Sequence, residues 1–226
     1  MNENELQVER CPVSNQTRLE EVANVITHGI GFALSIAGFI ALVVVSFWNF
    51  RPLLFAGSIV YGISLMLLYC MSTLYHFVRS PKVKRVMRIL DHSSIYLLIA
   101  GTYTPYAFGA LKGVWGWSVF SVIWTLAISG VIIKSFRLKK KSMLSTIFYL
   151  AMGWLCMFAI VPLFKNLSTA QFAWLLGGGA FYSIGTIFFS LDRMPFSHAI
   201  WHLFVLGGSI CHYASIFSAV AYPFVS

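Results

Sequence analysis

Charged residues are scarce in this chain, and their scarcity decides its broad class. Only 10% of the 226 residues are Asp, Glu, Lys or Arg, whereas 58% are hydrophobic. A soluble domain carries charge on about a quarter of its residues. Because this composition leaves too little polar surface to cover a globule in water, it excludes a soluble protein and predicts a polytopic membrane protein.

The sequence also lacks a recognisable signal peptide and paired cysteines. Residues 1–22 are polar and contain no short apolar stretch before a small-residue cleavage site, so we expect the first span to act as its own insertion signal. The four cysteines, Cys11, Cys70, Cys156 and Cys211, are widely separated and form no CxxC pair. Their spacing argues against disulfides and thiolate metal ligands and favours packing as small apolar side chains.

Long apolar runs of about 20 residues, the length that crosses a bilayer as a helix, recur along the chain. They predict an all-α fold, a seven-transmembrane-helix bundle over residues 23–226, with a short cytoplasmic segment at 1–22 before it. The predicted spans are 23–48, 53–78, 89–110, 114–134, 143–164, 170–190 and 197–222.

The basic residues predict the orientation of these spans, because short loops rich in Lys and Arg stay cytoplasmic. On the predicted topology, 13 of the 16 basic residues lie on one side and three on the other. The larger group is Arg10, Arg18, Arg79, Lys82, Lys84, Arg85, Arg88, Lys134, Arg137, Lys139, Lys140, Lys141 and Arg193; the smaller group is Arg51, Lys112 and Lys165. The N-terminus is therefore expected inside and the C-terminus outside. The net charge of +9 then indicates contact with anionic lipid headgroups and not with nucleic acid.

Four ionisable residues fall at a common predicted depth, in the inner half of the membrane: His76, Asp91, His198 and His202. Ionisable side chains there usually pair, bind an ion or line a cavity. His198 and His202 share one helical face about 6 Å apart, a spacing that lets two imidazoles hold one ion. Three neutral histidines suit zinc and leave a fourth position open for water. The competing interpretation is that each histidine hydrogen-bonds a neighbouring helix independently.

Two residues other than the histidines are candidates for catalysis. Asp91 is expected to orient a water molecule on the metal and accept its proton, although it could instead ligate the metal or merely cap the third span. Ser72 lies one turn before His76 and could donate a hydrogen bond into the site. His92 points about 100° away from Asp91 and is expected at the membrane interface.

A polar stripe enters the first span. Glu21, Asn24 and His28 follow i, i+3, i+7 spacing, so they must face protein or water and not lipid. They either line the same inner cavity or, for Glu21, mark a start of the helix that lies on the membrane surface.

These residues fall in five blocks that resemble the hemolysin III family, the bacterial branch of the progestin and adiponectin receptor (PAQR) family. The blocks are Glu21-x-x-Asn24-x-x-Thr27-His28-Gly29, Ser72-x-x-x-His76, Asp91-His92-x-x-Ile95, Gly101-Thr102-Tyr103-Thr104-Pro105 and His198-x-x-x-His202. The resemblance implies seven helices in a bacterial cell membrane and a zinc ion bound by His76, His198 and His202, with Asp91 holding the zinc-bound water.

The resemblance also frames three hypotheses for function. The leading hypothesis is a zinc-dependent hydrolase of a lipid amide or ester, similar to a ceramidase and linked to membrane lipid homeostasis. The second is a membrane sensor in which zinc only braces three helices. The third is a pore-forming cytolysin, which the family name suggests but which the very apolar composition disfavours.

Overall fold

The computed structural model describes residues 10–136, 143–191 and 193–222, and this part of the chain is helical with no β-strand. A single β-bridge joins Arg10 to Thr17. The α-helices are α1 Arg18–Trp48, α2 Pro52–Phe77, α3 Pro81–Tyr106, α4 Gly113–Phe136, α5 Met143–Gly153, α6 Ile160–Asn166, α7 Thr169–Ser190 and α8 Ser197–Ala221. A π-helical turn, Ala107–Leu111, follows α3, and a 3₁₀ helix, Trp154–Ala159, joins α5 to α6.

Within the described residues, six helical segments are long and apolar enough to cross a membrane, which confirms a polytopic helical membrane protein. They are Arg18–Trp48, Pro52–Phe77, Gly113–Phe136, Met143–Asn166, Thr169–Ser190 and Ser197–Ala221. Helix α3 is as long as α2, but its first half is basic and polar, from Lys82 to Asp91. Its second half is almost wholly buried, from Ala100 to Tyr106, because α2 and α4 pack against it. A helix enclosed by protein needs no lipid-facing apolar surface.

Two helices begin earlier than the sequence patterns indicate. Helix α1 begins at Arg18 and not at residue 23, because Thr17 and Glu20 form a capping box that satisfies free backbone N–H groups. Helix α3 begins at Pro81 and not at residue 89, since proline is favoured in the first turn of a helix. Lys84, which the charge count treats as a loop residue, therefore lies inside α3 and is only 2% exposed.

The bundle brings one end of several helices together. Helices α1, α2 and α3 pack in sequence, α7 pairs with α8, and α8 returns to contact α1. Close approach of α2 to α3 depends on glycine: a Cβ at Gly57 would lie 3.0 Å from Pro105 Cα. We call the end at which α1, α3 and α8 begin and α2 ends the site end, because the residues of interest meet there.

A short polar segment, residues 10–17, folds back across the site end. The backbone N–H of Cys11 donates to the Gln16 carbonyl at 2.9 Å, which closes the segment into a loop. Arg88 Nη1 of α3 donates to the Val13 carbonyl at 3.2 Å. The segment is therefore held by α3 as well as by α1, which it precedes in the chain.

Candidate metal centre

Three histidines from two distant parts of the chain converge at the site end. One ligand atom from each of His76, His198 and His202 lies within 4.8 Å of the others, close enough to hold one metal ion. His76 comes from the last turn of α2, and the other two from the first turns of α8. His76 and His202 are buried, and His198 is half-buried. The predicted metal-ligating histidines are therefore brought together as a group.

Hydrogen bonds orient the His76 ring for such a role. His76 Nδ1 lies 2.7 Å from Glu21 Oε2, and a carboxylate only accepts, so Nδ1–H is the donor. His76 Nε2 is then left with a lone pair, and it is buried with no hydrogen-bond partner in the described structure. A ligating histidine characteristically donates its other ring N–H to a carboxylate, which fixes the tautomer and raises the basicity of the ligand.

The Glu21 carboxylate that orients His76 is itself held by a buried lysine. Lys84 Nζ lies 2.8 Å from Glu21 Oε1, and Ser14 Oγ also donates to that oxygen. Lys84 Nζ donates further to the carbonyls of His76 and Val78, both at 3.3 Å, where α2 ends. Because breaking a buried ion pair is costly, Lys84 and Glu21 depend on each other. The alternative in which Glu21 lies on the membrane surface is therefore wrong.

His202 is oriented in the same way, by a hydrogen bond from its Nδ1–H to a different partner. Thr27 Oγ1 lies 3.1 Å from His202 Nδ1 and also 2.9 Å from the Ala23 carbonyl, one turn earlier in α1. Since the single hydroxyl proton of Thr27 goes to its own helix, the hydroxyl oxygen accepts from His202 Nδ1–H. This leaves His202 Nε2 as a lone-pair donor. Two of the three imidazoles thus have an unprotonated Nε2, and a neutral imidazole nitrogen is a common ligand of zinc, copper, iron and nickel.

Asp91 lies beside the histidines without joining their group. It is buried and faces the same cavity as His198 and His202, and its Oδ2 lies 3.2 Å from His92 Nδ1. Helix α3 begins ten residues earlier, with Ser80 at the N-cap, so the interpretation of Asp91 as a helix cap is wrong. The role of Asp91 in orienting a metal-bound water stays a prediction, as does the alternative that it ligates the metal directly.

Ser72 and His28 form a pair that the sequence analysis did not anticipate. Ser72 Oγ lies 2.7 Å from His28 Nδ1, so Ser72 bonds to His28 and not to His76. The His28 ring stacks on the His202 ring at a centroid distance of 3.4 Å and an angle of 11°. The sequence block that contains Thr27 and His28, together with the polar stripe, indicated that His28 lies near the site. Spacing alone could not predict that Ser72 is its hydrogen-bond partner.

His92 is also closer to the site than predicted. It is half-buried, contacts Asp91 and lines both cavities described below, and its expected position at the membrane interface stays a prediction. Its carbonyl accepts from the Tyr149 hydroxyl at 3.0 Å.

Two cavities meet at the metal centre. The first, of about 150 Å³, is mostly apolar and extends between α3, α5, the 3₁₀ helix, α7 and α8, from Asp91 and His198 to Leu111 and Leu163. We call this first cavity the apolar cavity. The separation of Asp91 and Leu111 in sequence corresponds to about 30 Å of helix, the thickness of a bilayer core.

The second, of about 430 Å³, lies between segment 10–17 and the starts of α3 and α8, and we call it the polar cavity. It is lined by Gln16, Arg88, His76 and His198 among others. His198 and His92 border both cavities. The metal centre therefore lies where a polar space and an apolar space adjoin.

Comparison with known proteins places the chain in a family. The model of proteins described as haemolysin-III related matches residues 16–213. Hemolysin-3 of Bacillus cereus is 51% identical over 190 residues, which cover 84% of this chain and 87% of that protein. The Hemolysin-3 homolog of Bacillus subtilis (strain 168) is 45% identical over 213 residues, covering 92% and 98%.

More distant relatives occur in animals. The monocyte to macrophage differentiation factor of Homo sapiens is 34% identical over 167 residues, which cover 70% of this chain and 67% of that protein. No solved structure gives a significant match. The match to the family model spans all five sequence blocks and includes the three histidines. The chain therefore belongs to the haemolysin-III-related family and is a multi-pass protein of the bacterial inner membrane.

Proposed function

We propose that this protein is a zinc-dependent hydrolase that cleaves a lipid amide or ester within the inner half of the membrane. The observation that carries the proposal is the position of the histidine group, which borders a long apolar cavity on one side and a polar cavity on the other. A lipid whose reactive carbonyl lies between its acyl chain and its polar headgroup fits that junction.

The proposal includes seven membrane crossings with the N-terminus inside. Helix α3 would be the crossing added to the six, since it lies between α2 and α4 and is long enough to span the membrane. The site end carries the basic residues that open α3 and segment 10–17, including Arg10, Lys82, Arg85 and Arg88. The positive-inside rule then puts the metal centre on the cytoplasmic side.

The donor set supports zinc as the metal. His76, His198 and His202 supply three imidazoles, and the unpartnered Nε2 of His76 is the kind of buried lone pair that a metal would satisfy. When bound, zinc would act as a Lewis acid toward the acyl carbonyl and toward water. Three protein ligands leave room for both.

Asp91 would move the proton in this reaction. Hydrolysis adds OH to the acyl carbon and H to the leaving nitrogen or oxygen, so a proton must leave water and reach the leaving group. Asp91 is the carboxylate that faces the cavity beside His198 and His202, and its Oδ2 is already near His92 Nδ1. Its Oδ1 would accept the proton from water and return it to the leaving group.

Different parts of the substrate would occupy the two cavities. The acyl chain would occupy the apolar cavity, entering between the 3₁₀ helix and α7, both of which contribute to its wall. Trp154 Nε1 donates to Ser183 Oγ at 2.9 Å across this gap. The polar headgroup and water would occupy the polar cavity under segment 10–17.

Turnover by purified protein tests the proposal. Zinc-loaded protein in lipid nanodiscs should release free fatty acid from one member of a panel of lipid amides and esters, and a chelator should stop it. Asp91→Asn should keep zinc and lose at least about 100-fold in turnover, as loss of a general base does. Ser135→Ala, at an exposed serine of α4, is the matched control.

Two results would contradict this function. Turnover that survives both chelation and Asp91→Asn would show that the metal centre is not catalytic. Zinc-loaded protein that cleaves nothing on the panel, yet loses much of its thermal stability on chelation, would favour a sensor braced by structural zinc.

The name Hemolysin-3, which two relatives carry, favours a second candidate, membrane lysis. Hemolysin-3 of Bacillus cereus and this chain share more than half of their aligned residues. Purified protein added to dye-loaded liposomes would release the dye if it lysed membranes, and wild-type protein without release would remove this candidate.

A further inference from the structure

His28 is held rigidly in the wall of the apolar cavity. Its Nδ1 lies 2.7 Å from Ser72 Oγ, its ring stacks on His202 at 3.4 Å, and the Tyr69 ring meets it edge-on at 5.0 Å. It is 4% exposed and lines the cavity together with Asp91 and His202. His28 is not one of the three grouped metal ligands.

The Ser72 hydroxyl fixes which His28 nitrogen carries the proton. Other serines of α2 donate to carbonyls of their own helix, as Ser58 does to Leu54 and Ser64 to Tyr61. Ser72 makes no such bond within the described structure, so its proton is available to His28 Nδ1. Neutral imidazole has one N–H, which then lies on Nε2.

The opposite tautomer satisfies fewer groups. If His28 Nδ1–H donated to Ser72, both the buried Ser72 proton and the His28 Nε2 lone pair would lack partners. With the proton on Nε2, only the Nε2–H donor lacks one, and Nε2 is indeed buried without a partner among the described residues. Buried donors rarely remain unpaired, and an unpaired donor at an active-site wall suggests a ligand acceptor.

We infer that His28 Nε2–H donates a hydrogen bond to the acyl carbonyl oxygen of the lipid substrate. This inference rests on the proposed function, and it makes His28 a catalytic residue that does not bind the metal. A donor held by Ser72, Tyr69 and His202 needs no reorganisation when negative charge develops on that oxygen. Removal of one such preorganised donor lowers kcat by about 100-fold or more.

Two substitutions of His28 separate this role from a structural one. The amide nitrogen of His28→Gln reaches the position of Nε2, whereas that of His28→Asn reaches only the position of Nδ1. Both variants should bind stoichiometric zinc. His28→Gln should keep at least about tenfold more turnover than His28→Asn, which should lose about 100-fold relative to wild type.

Binding of a non-reacting probe keeps the test independent of turnover. A long-chain N-methyl amide, titrated by quenching of intrinsic tryptophan fluorescence, should bind wild type and His28→Gln more tightly than His28→Asn. Ser72→Ala should weaken binding as well, because without the Ser72 hydroxyl the proton of neutral His28 is no longer held on Nε2. If wild type turns over no lipid, the proposed function fails and this binding series alone decides the inference.

Three results would overturn the inference. Loss of zinc from both His28 variants would make His28 a metal ligand. Equal turnover or equal amide affinity in His28→Gln and His28→Asn would make its role structural. Absence of any amide binding by wild-type protein would leave the Nε2–H donor without the ligand that we assign to it.

Discussion

The two cavities differ in what forms their walls. The polar cavity is enclosed by segment 10–17, whose side chains reach buried groups directly: Ser14 bonds Glu21, and Gln16 bonds Asn24. The apolar cavity is enclosed mostly by aliphatic and aromatic side chains, and one wall is the 3₁₀ helix that interrupts the long segment Met143–Asn166. The polar wall is hydrogen-bonded to Glu21, the carboxylate that orients His76, whereas the apolar wall only sets the shape and length of its cavity. We therefore expect changes on the polar side to alter metal affinity and changes on the apolar side to alter chain-length preference.

The largest effect should come from removal of any of the three histidines where the cavities meet. His76→Ala, His198→Ala and His202→Ala should each lose stoichiometric zinc, because two imidazoles alone hold zinc poorly. Metal analysis of detergent-purified protein measures this. His212→Ala is the matched control, since the His212 ring bonds the Leu175 carbonyl instead. Full zinc content in any of the three variants would show that its imidazole is not a ligand.

The next effect should come from the carboxylate on the polar side. Glu21→Gln weakens the hydrogen bond from His76 Nδ1–H and removes the carboxylate that pairs with Lys84, so zinc affinity should fall by about 10- to 100-fold. Competition with a chromophoric chelator gives the affinity. Glu20→Gln is the control, because Glu20 accepts from the N–H groups of Thr17 and Phe196 and not from His76. Equal losses in the two variants would assign the effect to helix α1 as a whole.

On the apolar side, a bulkier side chain at the far end should shorten the preferred substrate. Leu163 is buried at that end, and Leu163→Phe should exclude terminal methylene groups. Each excluded methylene costs about 0.8 kcal/mol, roughly a fourfold loss in kcat/KM for the longest chains only. The ratio of kcat/KM for long and short acyl chains measures it. Phe164→Leu, at the exposed neighbour, should leave that ratio unchanged, and a uniform loss across chain lengths would contradict the assignment.

The smallest effect should come from segment 10–17 itself. Ser14→Ala removes one donor to Glu21 while Lys84 and His76 remain, so zinc affinity should fall only about two- to threefold. The same chelator competition measures it, with Ser135→Ala as control. A loss as large as that of Glu21→Gln would mean that segment 10–17, and not Lys84, holds the carboxylate in place.

Sequence patterns predicted the three histidines because two physical rules narrowed the choice. Ionisable groups are costly in hydrocarbon, and an i, i+4 pair shares one helical face. The patterns did not predict the link from Lys84 through Glu21 to His76. Lys84 follows a proline and sits among other basic residues, so charge counting assigned it to a loop, while the structure buries it in α3.

The same limit applies to Ser72. One-turn spacing put it beside His76 on α2, but the direction of a side chain also depends on the helix that packs against it. Helix α1 places His28 opposite Ser72, and the hydrogen bond of 2.7 Å joins those two residues instead. The capping box at Thr17 and Glu20, by contrast, was readable from the sequence and would have given the start of α1.

The sequence by itself determined that this chain lies in a membrane, that it is helical, and that His76, His198 and His202 are candidates for one site. Those properties follow from composition and from periodicity within single helices. Only the tertiary structure decided which side chains orient the histidines and where the two cavities meet. Such contacts join residues more than 40 positions apart, and their geometry depends on how α1, α2, α3 and α8 pack together.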